Sequence, residues 1–93
     1  MSTYAVSYTY TDDVATRDEV RPSHRDFLRA LLADGVLRAS GPVDGRVGAL
    51  LVIEAESADA ALAVLDPDPF ALRGLVAERS ARQWDVVIGG FAE

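Results

Sequence analysis

Few side chains in this sequence could do chemistry. The chain has one imidazole, His24, and imidazole is the side-chain type whose charge changes near neutral pH without outside help. A carboxylate beside it would fix its tautomer and stabilise its cation, which is the orienting half of a general acid–base pair. Asp68, in the run Asp66-Pro67-Asp68-Pro69-Phe70, is the candidate partner. Arg21 could hold a ligand carboxylate with two parallel hydrogen bonds. Ser40-Gly41-Pro42 and Phe70 could shape the pocket around them, and Tyr8 and Tyr10 could wall it or donate a hydroxyl. Each residue also has a plainer reading. A half-buried histidine packs and bonds a carbonyl, Asp and Pro are ordinary turn formers, Gly-Pro makes a hairpin, and an arginine at a helix start is solvated. The two tyrosines are then core or interface residues, and Trp84 is a core residue rather than a platform for ligand stacking.

The elements must bring these residues together, because they are far apart in sequence. Tyr4 to Tyr10 alternates with period two, with Tyr4, Val6, Tyr8 and Tyr10 on one side, so it predicts strand 1. Thr11-Asp12-Asp13 ends it. Pro22 suits a first helical turn. From there Val20, His24, Phe27, Leu28, Leu31 and Leu32 keep helical spacing, with Arg25, Asp26 and Arg29 on the other face, up to a stop at Gly35. Val36 to Ser40 predicts strand 2, broken by Gly41-Pro42. Gly48 to Glu54 is apolar on both faces and predicts a central strand. Ser57 is the expected N-cap of helix 2, Ala58 to Leu65. Asp66-Pro67-Asp68-Pro69 ends that helix, with a further turn from Phe70 to Leu75. Val76–Ser80 and Trp84–Ile88 are expected to form the last strand, bulged at Ala81-Arg82.

The order β-α-β-β-α-β in 93 residues predicts an α+β fold, a ferredoxin-like sandwich with both helices on one face of an antiparallel sheet. In that topology the start of helix 1, the end of strand 2 and the end of helix 2 reach one rim. His24, Ser40-Gly41-Pro42 and Asp68 therefore converge there. At a helix start the dipole would oppose a histidine cation that the carboxylate favours. The second sheet face would be bare, and packing on another subunit is the expected cover, giving a homodimer; the alternative is a monomer whose C-terminal segment covers that face.

Composition removes other chemistries. The chain is one domain's length, residues 1–93, with 49% hydrophobic and 26% charged residues. Fifteen acids against nine bases give a net charge of −6, which disfavours nucleic acid as a partner. No cysteine is present, so disulfides, thiolate metal sites and cysteine nucleophiles are excluded. Every cation is arginine, so a Schiff-base or Walker-A lysine is impossible. Asp12-Asp13 and Asp18-Glu19 read as a solvated loop without calcium-ligand spacing. No targeting segment or membrane span is expected, and a cytoplasmic location is the default.

The ordered set of motifs resembles the YCII (YciI-like) family. It comprises an opening Tyr-Ala-Val strand, Arg21-x-x-His24, a helix ending at Gly35, Ala39-Ser40-Gly41-Pro42, an apolar strand, and Asp68-Pro69-Phe70 followed by Gly74-Leu75. The resemblance spans Tyr4 to about Val87. It implies a dimeric α/β barrel, with His24 and Asp68 as an acid–base pair in a cleft. The expectation is a small-molecule enzyme without metal or other cofactor, acting by elimination, isomerisation or lactone-type chemistry on a small organic acid. Arg21, Ser40, Gly41, Pro42 and Phe70 would bind the ligand. Two alternatives stay open: a non-catalytic ligand-binding or regulatory module using the same cleft, and a haem-binding or cofactor-free oxygenase, for which His24 would have to leave Asp68.

Overall fold

The computed structural model describes residues 1–91. Its elements are β1 (Ser2–Tyr10), α1 (Val14–Ala33), β2 (Leu37–Val43), a 3-10 turn (Asp44–Arg46), β3 (Gly48–Ala55), α2 (Ala58–Ala63), α3 (Pro69–Leu72) and β4 (Val76–Gln83). The strands form one antiparallel sheet in the order β2-β3-β1-β4. The expected ferredoxin-like α+β architecture is therefore present.

Period-two burial explains why the helices share one face. Tyr4, Val6 and Tyr8 of β1 and Ala49, Leu51, Ile53 and Ala55 of β3 join one core with Leu28 of α1 and with Ala61 and Leu65 near α2. On the opposite face Leu50 remains 39% exposed. β3 lies between β1 and β2, as its apolar character on both faces requires. At its first residue the sheet is very tight. A Cβ on Gly48 would collide with the Tyr8 carbonyl oxygen, so only glycine fits there.

Several boundaries differ from the sequence expectations. α1 starts two turns earlier than Pro22, at Val14, where the Asp13 carboxylate accepts from Thr16 N at 3.1 Å. Asp18 and Glu19 are thus helical rather than loop residues. Pro22 lies inside the helix on its solvent side. Asp18, whose carbonyl loses its helical partner there, is an exposed residue, and this tempers the usual cost of an interior proline. β2 runs through Gly41-Pro42, with Pro42 opposite Ala49. A proline is tolerated because β2 is an edge strand. The Ser57 hydroxyl caps α2 by accepting from Ala60 N at 3.0 Å, and α2 ends at Ala63, two residues earlier than expected.

β4 is continuous from Val76 to Gln83 and contains no bulge at Ala81-Arg82. The register slips instead between Thr9 and Tyr10. Residues 84–88 are not strand. β4 runs out of partner: Gln83 pairs with Tyr4, and Trp84 N makes a last bond to Thr3 O at 2.8 Å. Trp84 is also not core. It is 39% exposed, with its ring edge-on to Phe91 at 5.9 Å.

Candidate functional site

Local chain geometry delivers Asp68 to the interior. The prolines on either side of it prevent α2 from continuing. Asp68 N instead bonds Leu65 O at 3.0 Å, and Asp68 becomes the N-cap of α3 with Pro69 in the first turn. Its Oδ1 accepts from Phe70 N at 3.0 Å. This compact turn buries the carboxylate completely, at 0% exposure. A buried carboxylate must be satisfied by donors, and two more supply it. Tyr8 of β1 donates its hydroxyl to Oδ2 at 2.9 Å, and His24 Nδ1 lies 2.7 Å from Oδ1.

The hydrogen-bond inventory assigns roles. An acceptor-only carboxylate takes bonds from Phe70 N, the Tyr8 hydroxyl and an N–H at His24 Nδ1. That leaves Nε2 as the ring nitrogen available to a ligand. The Phe70 ring stacks on the imidazole, with centroids 3.9 Å apart and planes at 10°. The ring is held on one side by an acid and on one face by an aromatic. His24 sits on the inner stripe of α1 with Val20 and Leu28 and is 8% exposed. It is mid-helix, not at the helix start, so the opposing helix-dipole effect expected from sequence does not operate. That effect is confined to the terminal turn.

The tyrosines are more than packing. Burial, reinforced by the charge of Asp68 and the hydrogen bond to it, pushes the Tyr8 hydroxyl well above the ordinary tyrosine value. Tyr10 is pushed up to about 12, first by burial and then by Asp68, with Arg17, Arg21 and Arg46 pulling the other way. Both remain protonated donors at neutral pH. Among the described residues no group of three or more His, Cys, Asp or Glu is arranged to hold a metal ion.

His24 opens on a cavity of about 180 Å³. Arg21, Ser40, Gly41, Pro42 and Phe70, the residues expected to bind a ligand, all line it. Asp68 does not; it lies under the imidazole. Arg21 donates from Nη1 to Asp18 Oδ1 at 2.6 Å, one helical turn away. Among the lining residues not expected at the site are two arginines, Arg25 and Arg46. Arg25 was expected on the outer helix face, yet it stands four residues from Arg21, the spacing that puts two side chains on one face. Arg46 sits in the turn between β2 and β3, where no periodicity marks it. Arg17, also unforeseen, is buried under that turn at 5% exposure. It donates to Thr11 O at 2.6 Å and to Arg46 O at 3.2 Å, with its guanidinium 4.8 Å above the Tyr10 ring.

No curated protein matches the chain. Among solved structures it is similar to 5-chloro-2-hydroxyhydroquinone dehydrochlorinase from Burkholderia phenoliruptrix AC1100, determined in complex with 2,5-dihydroxybenzoquinone. The TM-score is 0.74 at 24% sequence identity, over 88% of this chain and 92% of that one. That likeness concerns the fold. The model of the YCII-related domain matches residues 1–85, which include every cavity-lining residue and Asp68. The chain therefore belongs to the YCII-related domain family.

Proposed function

We propose that the protein is a small-molecule enzyme in which His24 is the general acid–base and Asp68 orients it. Nε2 takes a proton from a bound small organic acid and returns it to another position or to a leaving group, which is the common element of elimination, isomerisation and lactone chemistry. Asp68 keeps the proton on Nδ1 and stabilises the imidazolium once Nε2 is protonated. The observation that carries this reading is the 2.7 Å contact between His24 Nδ1 and the fully buried Asp68 carboxylate, at the wall of a cavity of ligand size. The similar fold of a dehydrochlorinase bound to a dihydroxybenzoquinone supports a small cyclic ligand.

The test is deuterium incorporation from D2O into a panel of cyclic oxo and hydroxy acids, which registers proton abstraction even without net turnover. Removal of a general acid–base group costs roughly 10²–10⁴-fold in rate. His24→Asn and Asp68→Asn are expected to lose exchange on that scale while keeping the wild-type circular dichroism. Exchange at the wild-type rate in folded His24→Asn would refute the assignment. A ligand that raises Tm in the wild type but never exchanges would favour a binding module instead.

The sheet face opposite the helices, where Val52 is buried but Leu50 is not, is the proposed dimer surface. Leu50 is 39% exposed on it, and Val87 and Ile88 in the segment after β4 are 81% and 90% exposed. Apolar side chains exposed to this degree mark a surface that a second copy of the chain could cover.

A further inference from the structure

The cavity carries a charge pattern opposite to that of the chain. The protein has 15 acidic residues against 9 arginines, yet Arg21, Arg25 and Arg46 line this one cavity and no carboxylate does. Asp68, under the imidazole, has both oxygens occupied by Tyr8, His24 and Phe70 N. Among the described residues the guanidinium groups of Arg25 and Arg46 make no ion pair and no hydrogen bond. Arg21 is paired with Asp18, but the like charges of Arg25 and Arg46 around one small space repel one another unless an anion joins them.

The backbone is committed to this arrangement. Arg46 has φ of 75°, the left-handed region that a bulky side chain avoids. A buried arginine, Arg17, holds the Arg46 carbonyl in place. Strain kept in place by surrounding structure is a feature of ligand sites. Beside Tyr10, His24 and the Ser40-Gly41-Pro42 segment, the wall has an apolar part made of Leu28, Ala49, Leu51 and Phe70. A volume of about 180 Å³ is slightly larger than the roughly 150 Å³ of an apolar cavity that takes benzene.

We propose that this cavity is a receptor for a single-ring carboxylate, with Arg25 and Arg46 gripping the carboxylate and the Leu28–Leu51–Phe70 wall holding the ring. This deepens the acid–base reading, since it rests on the same cavity, and it names the substrate class. Arg21, already steadied by Asp18, lends its charge to the same group. The anion fixes the ring's orientation relative to His24, and planar bidentate pairing is what arginine supplies better than any other cation.

The test is calorimetric titration of the full-length protein with benzoate and salicylate, with the neutral isosteres benzamide and salicylamide, and with acetate. The aromatic carboxylates are expected to bind at least about tenfold more tightly than their amides, as charge-assisted bonds exceed neutral ones. Acetate, which lacks the ring, is expected to be weaker still. Affinity falls with added salt. Arg46→Gly separates binding from folding, because glycine suits a positive φ. It is expected to lose about tenfold in benzoate affinity while Tm holds or rises, and Arg25→Ala is expected to lose a similar factor. Amides that bind as well as acids, acetate that binds as well as benzoate, unchanged affinity in both variants, or no heat from either aromatic acid would each overturn the proposal. Binding to His24→Asn is measured in parallel. Retained benzoate selectivity alongside retained proton exchange in that variant would refute the acid–base assignment and leave the receptor standing.

Discussion

Tyr8→Phe removes one oxygen atom and little else, so it isolates the bond that holds the Asp68 carboxylate from the β1 side. The hydroxyl lies 2.9 Å from Oδ2, and the two residues are 2% and 0% exposed. Water therefore cannot readily replace the lost donor. A buried hydrogen bond to a charged group contributes about 1.5–3 kcal/mol, and the extra apolar character of Phe offsets only part of that. For a chain of 93 residues, each kcal/mol is about 4–8 °C in Tm, so the fall is on the order of 10 °C. Urea unfolding at pH 7 measures it, with the slope against denaturant unchanged. Alkaline pH supplies a second, signed readout. Because the folded Tyr8 and Tyr10 hydroxyls titrate above the ordinary value of 10.0, the unfolded chain gives up these protons first. Stability is then fully present below about pH 10 and falls above it, by about 1.4 kcal/mol per pH unit for each tyrosine. The wild type loses through both tyrosines up to about pH 12, where Tyr10 itself ionises. Tyr8→Phe loses through Tyr10 alone, so the gap between the two proteins narrows as pH rises. A variant within about 0.5 kcal/mol of wild type at pH 7, with a parallel alkaline limb, would refute the placement of this hydroxyl on Asp68.

Gly48→Ala drives a Cβ into the Tyr8 carbonyl oxygen. Overpacking of this kind costs about 1–3 kcal/mol, so Tm falls measurably; a Tm within about 2 °C of wild type would contradict the tight β1–β3 approach. Light scattering is expected to give twice the chain mass for the wild type and the single-chain mass for Leu50→Glu, which places a charge on the sheet face opposite the helices. A wild-type monomer at micromolar concentration would rule out the sheet-to-sheet dimer.

The parts of the fold written in local pattern were readable from sequence. Alternation from Tyr4 to Tyr10 marks β1, and apolar residues on both faces mark β3 as central. The element order then implies the ferredoxin-like arrangement and brings positions 24 and 68 to one place, 2.7 Å apart. What local pattern misassigns is each boundary decided by a tertiary partner. Pro22 reads as a helix start, but Asp13 caps earlier and the buried Arg17 extends the inner stripe backwards from Val20. Gly41-Pro42 reads as a break, but an edge strand needs no N–H at Pro42. Trp84–Ile88 reads as strand, but β1 offers no further partner. The arginines are the instructive omission. Arg46 acquires meaning only from a left-handed turn and a buried guanidinium behind it, and neither leaves a periodic trace.

One imidazole per chain makes the position of the His24 ring proton open to direct observation. Long-range ¹H–¹⁵N correlation of the His24 ring nitrogens at neutral pH reports which of them carries the proton, free of overlap from any other histidine. A protonated Nδ1 and an unprotonated Nε2 are expected in the neutral ring, with that preference lost in Asp68→Asn. A proton resident on Nε2, or a wild-type spectrum averaged equally over both tautomers, would contradict the orienting role of Asp68.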